Sequence, residues 1–157
     1  MRSSLDHRDP TRAGPVAAHG TAARATRTVL LVDDEREALE ALAAALVSFG
    51  YRVTTAVNGA DAIDKAVVMR PQAVVTDLLM PVIDGIGLAK ALRSNPATAD
   101  TKIVMCSGLA ERSVQALFNR YDAFLHKPFE LDLLRRTLAV LLADPEPSTG
   151  AEVIGAS

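Results

Sequence analysis

The chain has 157 residues, a formal net charge of -2 and an isoelectric point near 5.9, so it has room for one domain and carries no basic excess for nucleic acid or an anionic membrane. Its single cysteine excludes an internal disulfide framework, and no apolar run approaches the roughly 20 residues of a membrane span. We therefore expect a soluble, cytoplasmic protein with no nucleic-acid or membrane partner.

The two ends of the chain differ in composition from its middle. Residues 1–27 contain five Arg and two Asp among small and polar residues, with no hydrophobic period, which predicts a disordered basic tail. Residues 144–157 are predicted to be a short flexible tail, too small for a second domain. The predicted domain is residues 28–143, and because no output segment follows it we expect a stand-alone protein.

Residues 28–143 alternate between short apolar runs and amphipathic stretches. The apolar runs predict strands at 28–32, 51–57, 73–76, 103–106 and 123–126. The amphipathic stretches predict helices at 36–49, 61–70, 85–93, 111–120 and 130–142. This strict alternation favours an α/β fold with a doubly wound five-stranded parallel sheet and helices on both faces. Only the second strand ends without a chemically useful side chain, which favours the flavodoxin-like order 2-1-3-4-5.

Polar side chains follow the other four predicted strands. Asp33 and Asp34 follow the first strand, Asp77 the third, Ser107 the fourth and Lys127 the fifth. Because the carboxyl ends of parallel strands meet at one edge of a sheet, these side chains are expected to converge. Clustered carboxylates repel one another unless a cation lies among them, and Mg²⁺ prefers oxygen ligands. The sequence therefore predicts an acidic Mg²⁺ site.

This constellation predicts phosphoryl chemistry. Asp77 is the predicted nucleophile, because a carboxylate can attack phosphorus and form an aspartyl phosphate. Lys127 would neutralise charge on the phosphoryl oxygens, and the Ser107 hydroxyl would donate a hydrogen bond to one of them. The predicted Mg²⁺ ligands are the carboxylates of Asp33, Asp34 and Asp77 and the backbone carbonyl of Leu79.

Four segments together resemble the motif set of response-regulator receiver domains of two-component signalling. They are Val-Asp-Asp-Glu at 32–35, Asp-Leu-Leu-Met-Pro-Val-Ile-Asp-Gly at 77–85, Ser-Gly at 107–108 and Lys-Pro-Phe at 127–129. The resemblance covers about residues 28–143. It implies that Asp77 accepts a phosphoryl group from a histidine kinase or a histidine phosphotransfer protein, that the bond before Pro128 is cis, and that the protein is not a multi-turnover enzyme.

The resemblance also implies a conformational switch. Ser107 would move toward the phosphoryl group and Phe124 would turn inward, which would alter the face made by helix 4, strand 5 and helix 5 and recognised by a downstream target protein. Phe124 stands where the family commonly has tyrosine. The segment from Ser107 to Lys127 is shorter than is usual in the family, which bears on the length of helix 4.

Simpler interpretations exist for several of these residues. Asp33 or Asp34 could cap helix 1, Ser107 could cap helix 4, Asp77 could only form a turn, and Lys127 could be a solvated charge. Asp84 and Gly85 are read as a turn and helix start, Cys106 as a buried inert thiol, and His126 as facing away from Lys127.

Two other functions compete with the receiver interpretation. One is an Asp-nucleophile, Mg²⁺-dependent phosphohydrolase of the haloacid dehalogenase type, although Leu79 stands where such enzymes need a second Asp. The other is a receiver-like binding module that is never phosphorylated. Separately, Leu133 and Val140 widen the apolar face of helix 5, which predicts either a homodimer or partner surface or additional core.

Overall fold

The computed structural model describes residues 25–144, so the predictions for the two tails fall almost wholly outside the described residues. The strands are β1 (Thr28–Val32), β2 (Arg52–Ala56), β3 (Ala73–Asp77), β4 (Lys102–Ser107) and β5 (Ala123–His126). The helices are α1 (Arg36–Ser48), α2 (Gly59–Met69), α3 (Gly85–Ser94), α4 (Glu111–Gln115) and α5 (Leu131–Leu141). Within residues 25–144, no helix is both long enough and apolar enough to cross a bilayer.

The five strands form one parallel sheet in the order β2-β1-β3-β4-β5, which confirms the predicted fold class and strand order. Its register aligns the carboxyl ends of the strands. Val32 lies opposite Thr76, and Asp77 lies opposite Cys106. The residues that follow or end β1, β3 and β4 therefore reach one edge of the sheet together.

Two apolar layers cover the sheet, because side chains alternate between its faces. In β1, Val29 and Leu31 pack with α1 and α5, whereas Leu30 and Val32 pack with α2, α3 and α4. Strands covered on both faces read as continuous apolar runs, which is why β1, β3 and β4 were visible in the sequence.

Helix 4 is shorter than predicted. It ends at Gln115 rather than at residue 120, and the amide groups of Leu117 and Phe118 both donate to the carbonyl oxygen of Val114. Val114 and Phe118 are the only buried residues between 111 and 120, so this segment has few apolar anchors for a long helix.

Helix 2 starts earlier than predicted, at Gly59, because the Asn58 side chain caps it by accepting a hydrogen bond from the amide of Asp61.

Helix 5 buries Leu134 and Leu138 against the sheet. Leu133 and Val140 are exposed, so the interpretation of these two residues as additional core is wrong.

At the start and end of the described chain, Arg27 forms an ion pair with Asp144, and this pair joins the approach to β1 to the end of α5.

Candidate functional site

Three carboxylates converge at the carboxyl edge of the sheet. Asp33 and Asp34 follow β1, and Asp77 ends β3. One carboxylate oxygen from each lies within 4.8 Å of the other two, with Asp33 and Asp77 half-buried and Asp34 exposed. Three oxygen ligands this close together fit a hard divalent ion such as Mg²⁺, which is bound through carboxylates and keeps several waters.

Lys127 brings a positive charge to this acidic cluster from the end of β5. Its Nζ atom lies 3.3 Å from Oδ1 of Asp77 and 3.8 Å from Oδ2 of Asp33. Burial by itself would lower the pKa of Lys127, but the neighbouring Asp77 and Asp33 outweigh burial and the pKa is raised. Lys127 is therefore firmly protonated at neutral pH, and the interpretation of it as a solvated charge is wrong.

Asp33 is held by a backbone contact as well as by charge. Its Oδ1 accepts a hydrogen bond of 2.9 Å from the amide of Glu35. Burial nevertheless raises the pKa of Asp33, and it outweighs this hydrogen bond and the attraction of Lys127. The ionised form of Asp33 is therefore less favourable in the folded protein than in water.

A small cavity of about 30 Å³ lies beneath the cluster, among Asp33, Asp77, Cys106, Lys127 and apolar side chains. The Cys106 thiol that borders it is buried, and burial raises its pKa to about 12. This confirms the prediction of a buried thiol, which stays protonated at physiological pH.

Ser107 ends β4 one position beyond Cys106, the strand neighbour of Asp77. Its hydroxyl oxygen accepts a hydrogen bond of 3.0 Å from the amide of Leu109, and its proton is left to donate elsewhere. Helix 4 instead has Ala110 at its N-cap, with no side-chain cap. Glu35 likewise precedes α1 without a side-chain cap. The capping interpretations of Ser107, Asp33 and Asp34 are therefore wrong.

The loop after Asp77 runs from Leu78 to Asp84. The amide of Gly85 donates to the carbonyl oxygen of Leu78 at 2.8 Å and closes the loop. Asp84 caps α3 by accepting from the amide of Gly87 at 2.7 Å, which confirms its predicted place at the helix start. Leu79 is 65% exposed.

Phe124 lies half-buried on β5, against the core layer under α4. Its ring centroid is 6.0 Å from that of Tyr121, and the Tyr121 hydroxyl donates to Oε1 of Glu111, the first residue of α4. This link between α4 and the approach to β5 was not predicted from the sequence. No periodic pattern in the sequence signals the pairing of Tyr121 with Glu111. The bond before Pro128 is cis, as the resemblance implied, and His126 is exposed.

Comparisons with known proteins identify the family of this chain. Residues 29–139 match the response regulator receiver domain. The chain belongs to that family. The receiver domain is 37% identical over 114 residues to the transcriptional regulatory protein PrrA of Mycobacterium tuberculosis, covering 72% of this chain and 49% of PrrA. It is 32% identical over 126 residues to the response regulator MprA of Mycobacterium avium, covering 80% of this chain and 55% of MprA.

Solved structures of receiver domains share the fold. The chemotaxis protein CheY4 of Vibrio cholerae is 31% identical, with a TM-score of 0.69 over 75% of this chain and all (100%) of CheY4. The receiver domain of the sensor histidine kinase PA1611 from Pseudomonas aeruginosa is 28% identical, with a TM-score of 0.70 over 76% of this chain and 100% of that one. That domain was crystallised with a magnesium ion coordinated in its active-site cleft.

Membership of this family establishes a two-component signalling domain, a class that is generally not enzymatic. Such domains bind Mg²⁺ at their acidic cluster, and the three convergent carboxylates found here match that chemistry. The chain spans about half the length of the curated relatives it matches.

Proposed function

We propose that this receiver domain accepts a phosphoryl group on Asp77 from a histidine kinase or a histidine phosphotransfer protein of a two-component or phosphorelay system. The observation that carries the proposal is the meeting of Asp77 with the Lys127 ammonium group and two further carboxylates at one sheet edge. A nucleophile, a fixed cation and a set of metal ligands are the parts that phosphoryl transfer needs.

In the proposed reaction, a carboxylate oxygen of Asp77 attacks phosphorus. The bond between phosphorus and the donor's imidazole nitrogen breaks, and its electron pair stays on that nitrogen. Lys127 neutralises charge on the phosphoryl oxygens, and the Ser107 hydroxyl donates to one of them. Asp33, Asp34, Asp77 and the backbone carbonyl of Leu79 would hold Mg²⁺, which supplies positive charge to the transferring group when bound.

The phosphodonor protein is proposed to dock on a groove beside α1. The groove has a volume of about 330 Å³ and runs from Asp33 and Lys127 along the small side chains of α1 to Phe129. Its lining on α1 is Ala38, Ala41, Leu42 and Ala45. Replacement of Ala41 by Arg should slow transfer from a phosphorylated donor protein at least tenfold and leave labelling by a small phosphodonor unchanged. Ala44→Arg, which lies outside the groove on the same helix, is the matched control.

Phosphorylation is proposed to be read at the face made by α4, β5 and α5. Ser107 would move toward the phosphoryl group, and Phe124 would turn inward from its half-buried position. A downstream target protein, or a second copy of the chain through the exposed Leu133 and Val140 of α5, would then bind this altered face. A measured mass that stays monomeric with and without phosphorylation would remove the homodimer.

Two broader expectations stay predictions. The chain is expected to act in the cytoplasm. It is also expected to have no nucleic-acid partner, but this is not confirmed, since PrrA is named a transcriptional regulatory protein.

The deciding experiment is labelling with a small phosphodonor and Mg²⁺, followed by intact mass. Wild type and Asp84→Asn should each gain one phosphoryl group, because Asp84 caps α3 in the same loop but does not belong to the carboxylate cluster. Asp77→Asn should gain none, because an amide is not a nucleophile for phosphorus here. Equal labelling of Asp77→Asn would refute the assignment.

The same preparations separate the competing functions. A phosphohydrolase would turn over free phosphate esters many times, and Leu79 offers no acid two residues after Asp77 to support this. A binding module that is never phosphorylated would signal unchanged after Asp77→Ala.

A further inference from the structure

The loop between Asp77 and α3 contains a strained turn. The amide of Ile83 donates to the carbonyl oxygen of Pro81 at 3.0 Å, and Val82 between them has a φ of 71°. This is a γ-turn with positive φ, a conformation that is rare and that a β-branched residue such as valine strongly disfavours. Val82 is 90% exposed, so its own side chain has almost no packing to compensate for the strain. Another contact must therefore hold the loop in this shape.

That contact is made by Ile83, the residue after the strained one. A Cβ atom on Gly59, at the start of α2, would lie 2.5 Å from the carbonyl oxygen of Ile83 and 2.8 Å from its Cβ. A Cβ atom on Gly87, in α3, would lie 2.9 Å from Cγ2 of Ile83. Real Cβ atoms do not approach other atoms this closely. Ile83 thus fits against two helices only because both positions are glycine.

Gly87 makes this close fit at a cost to its helix. It lies inside α3, where glycine is a poorer helix former than alanine, and its φ does not require glycine. The space that it leaves for Ile83 is the feature of the structure that accounts for it.

We propose that Ile83, together with Gly59 and Gly87, is a positioning device that holds the loop after Asp77 in the shape required for binding Mg²⁺. We call these three residues the Ile83 seat. The same loop carries Leu79, whose backbone carbonyl is a ligand in the proposed function, so this inference rests on that function. None of the three residues touches the metal or the phosphoryl group. They act through the loop backbone.

The test is titration of purified, metal-free protein with Mg²⁺ alone, by calorimetry. Gly87→Ala should weaken Mg²⁺ binding about tenfold, the usual loss when groups that orient metal ligands are disturbed. Ile83→Ala, which removes the anchor, should weaken it by a similar factor. Gly108→Ala is the matched control, because a Cβ atom there meets nothing within 4 Å, and its Mg²⁺ affinity should equal that of wild type.

The double variant Gly87→Ala/Ile83→Ala separates positioning from general damage. Once Ile83 is shortened, the new methyl group on residue 87 has little left to meet, so the double variant should bind Mg²⁺ as weakly as Ile83→Ala alone. Independent effects would multiply to about a hundredfold loss. A multiplied loss, or wild-type affinity in both single variants, would overturn the proposal.

Failure of this inference is distinguishable from failure of the proposed function. If wild type binds Mg²⁺ and labels on Asp77 while both single variants bind Mg²⁺ normally, only the Ile83 seat is refuted. If wild type neither binds Mg²⁺ nor becomes labelled, the proposed function is refuted instead. Thermal unfolding without Mg²⁺ checks that Gly87→Ala is folded, and if it is not, Ile83→Ala, which removes Cγ2 without introducing a clash, tests the proposal against the Gly108→Ala control.

Discussion

The ammonium nitrogen of Lys127 lies 3.3 Å from a carboxylate oxygen of Asp77, at the ends of two strands separated in the sheet by β4. This pair places a permanent positive charge beside the oxygens that are proposed to bind Mg²⁺. Lys127 and a metal ion therefore repel each other, although both would stabilise a phosphoryl group on Asp77. Their effects on metal binding and on phosphoryl transfer should have opposite signs.

Replacement of Lys127 by methionine should tighten Mg²⁺ binding and slow phosphorylation. Loss of one positive charge a few ångströms from the metal removes about 1 kcal/mol of repulsion in a solvent-exposed site, which corresponds to about fivefold tighter binding. Loss of charge neutralisation should slow labelling by a small phosphodonor at least tenfold. Calorimetry and initial labelling rates measure the two effects. Lys90→Met, on the exposed side of α3, should change neither, and weaker Mg²⁺ binding by Lys127→Met would contradict the account.

Asp33→Asn should stabilise the metal-free protein at neutral pH. Burial raises the pKa of Asp33 in the folded state above the ordinary value of 3.8, so the folded protein holds this proton more tightly than the unfolded chain. Stability is then lost as pH rises through the interval between 3.8 and the raised folded pKa, and the ionised carboxylate costs stability above it. The Asp33→Asn variant does not lose this stability, because asparagine does not ionise. Its advantage should shrink as the pH falls below 3.8, where Asp33 is protonated in both states.

Denaturant titrations over a pH series, with a chelator or with Mg²⁺, measure this effect. Mg²⁺ should stabilise wild type more than Asp33→Asn, because the ion needs the ionised carboxylate. Asp64→Asn, exposed on α2, provides the comparison. A lower free energy of unfolding for Asp33→Asn at pH 7 in chelator would show that burial does not dominate at Asp33.

The parts of the molecule that were predictable depend on local patterns. All strands except β2 are short apolar runs that end on a polar residue or are followed by one, so the strands, their order and the meeting of Asp77 with Lys127 could be inferred from the sequence. The end of α4 could not be inferred, because residues 116–120 contain no glycine or proline to end a helix. The deciding fact is that Val114 and Phe118 are the only buried residues between 111 and 120. Contacts between distant polar residues, such as Tyr121 with Glu111, leave no periodic pattern in the sequence.

The contacts of Arg93 also leave no periodic pattern in the sequence, and they lead to a further prediction. Its side chain is only 10% exposed, at the end of α3. Its donors reach the carboxylate of Asp122 and the carbonyl oxygens of Ala99, Thr101 and Arg120. Arg93→Met should lower the free energy of unfolding by about 2 kcal/mol, because four acceptors lose a charged donor and two of these hydrogen bonds are part-buried. Urea titration measures the change, and Arg112→Met on exposed α4 should cost less than about 0.5 kcal/mol. If Arg93→Met lowered the free energy of unfolding as little as Arg112→Met does, water would be replacing these contacts.

Val82→Gly should stabilise the fold, although it shortens a side chain. Valine at a φ of 71° costs about 1–3 kcal/mol, and glycine adopts this conformation without strain while adding up to about 1 kcal/mol of entropy to the unfolded chain. The expected net gain is therefore about 1 kcal/mol in free energy of unfolding. Val68→Gly is the matched comparison, because Val68 is 86% exposed but helical, in α2, and glycine there should cost about 0.5–1 kcal/mol. Urea titration measures the free energy of unfolding of both variants. If Val82→Gly raises it and Val68→Gly lowers it, the strain lies at Val82. If both substitutions lower it, the γ-turn is not strained.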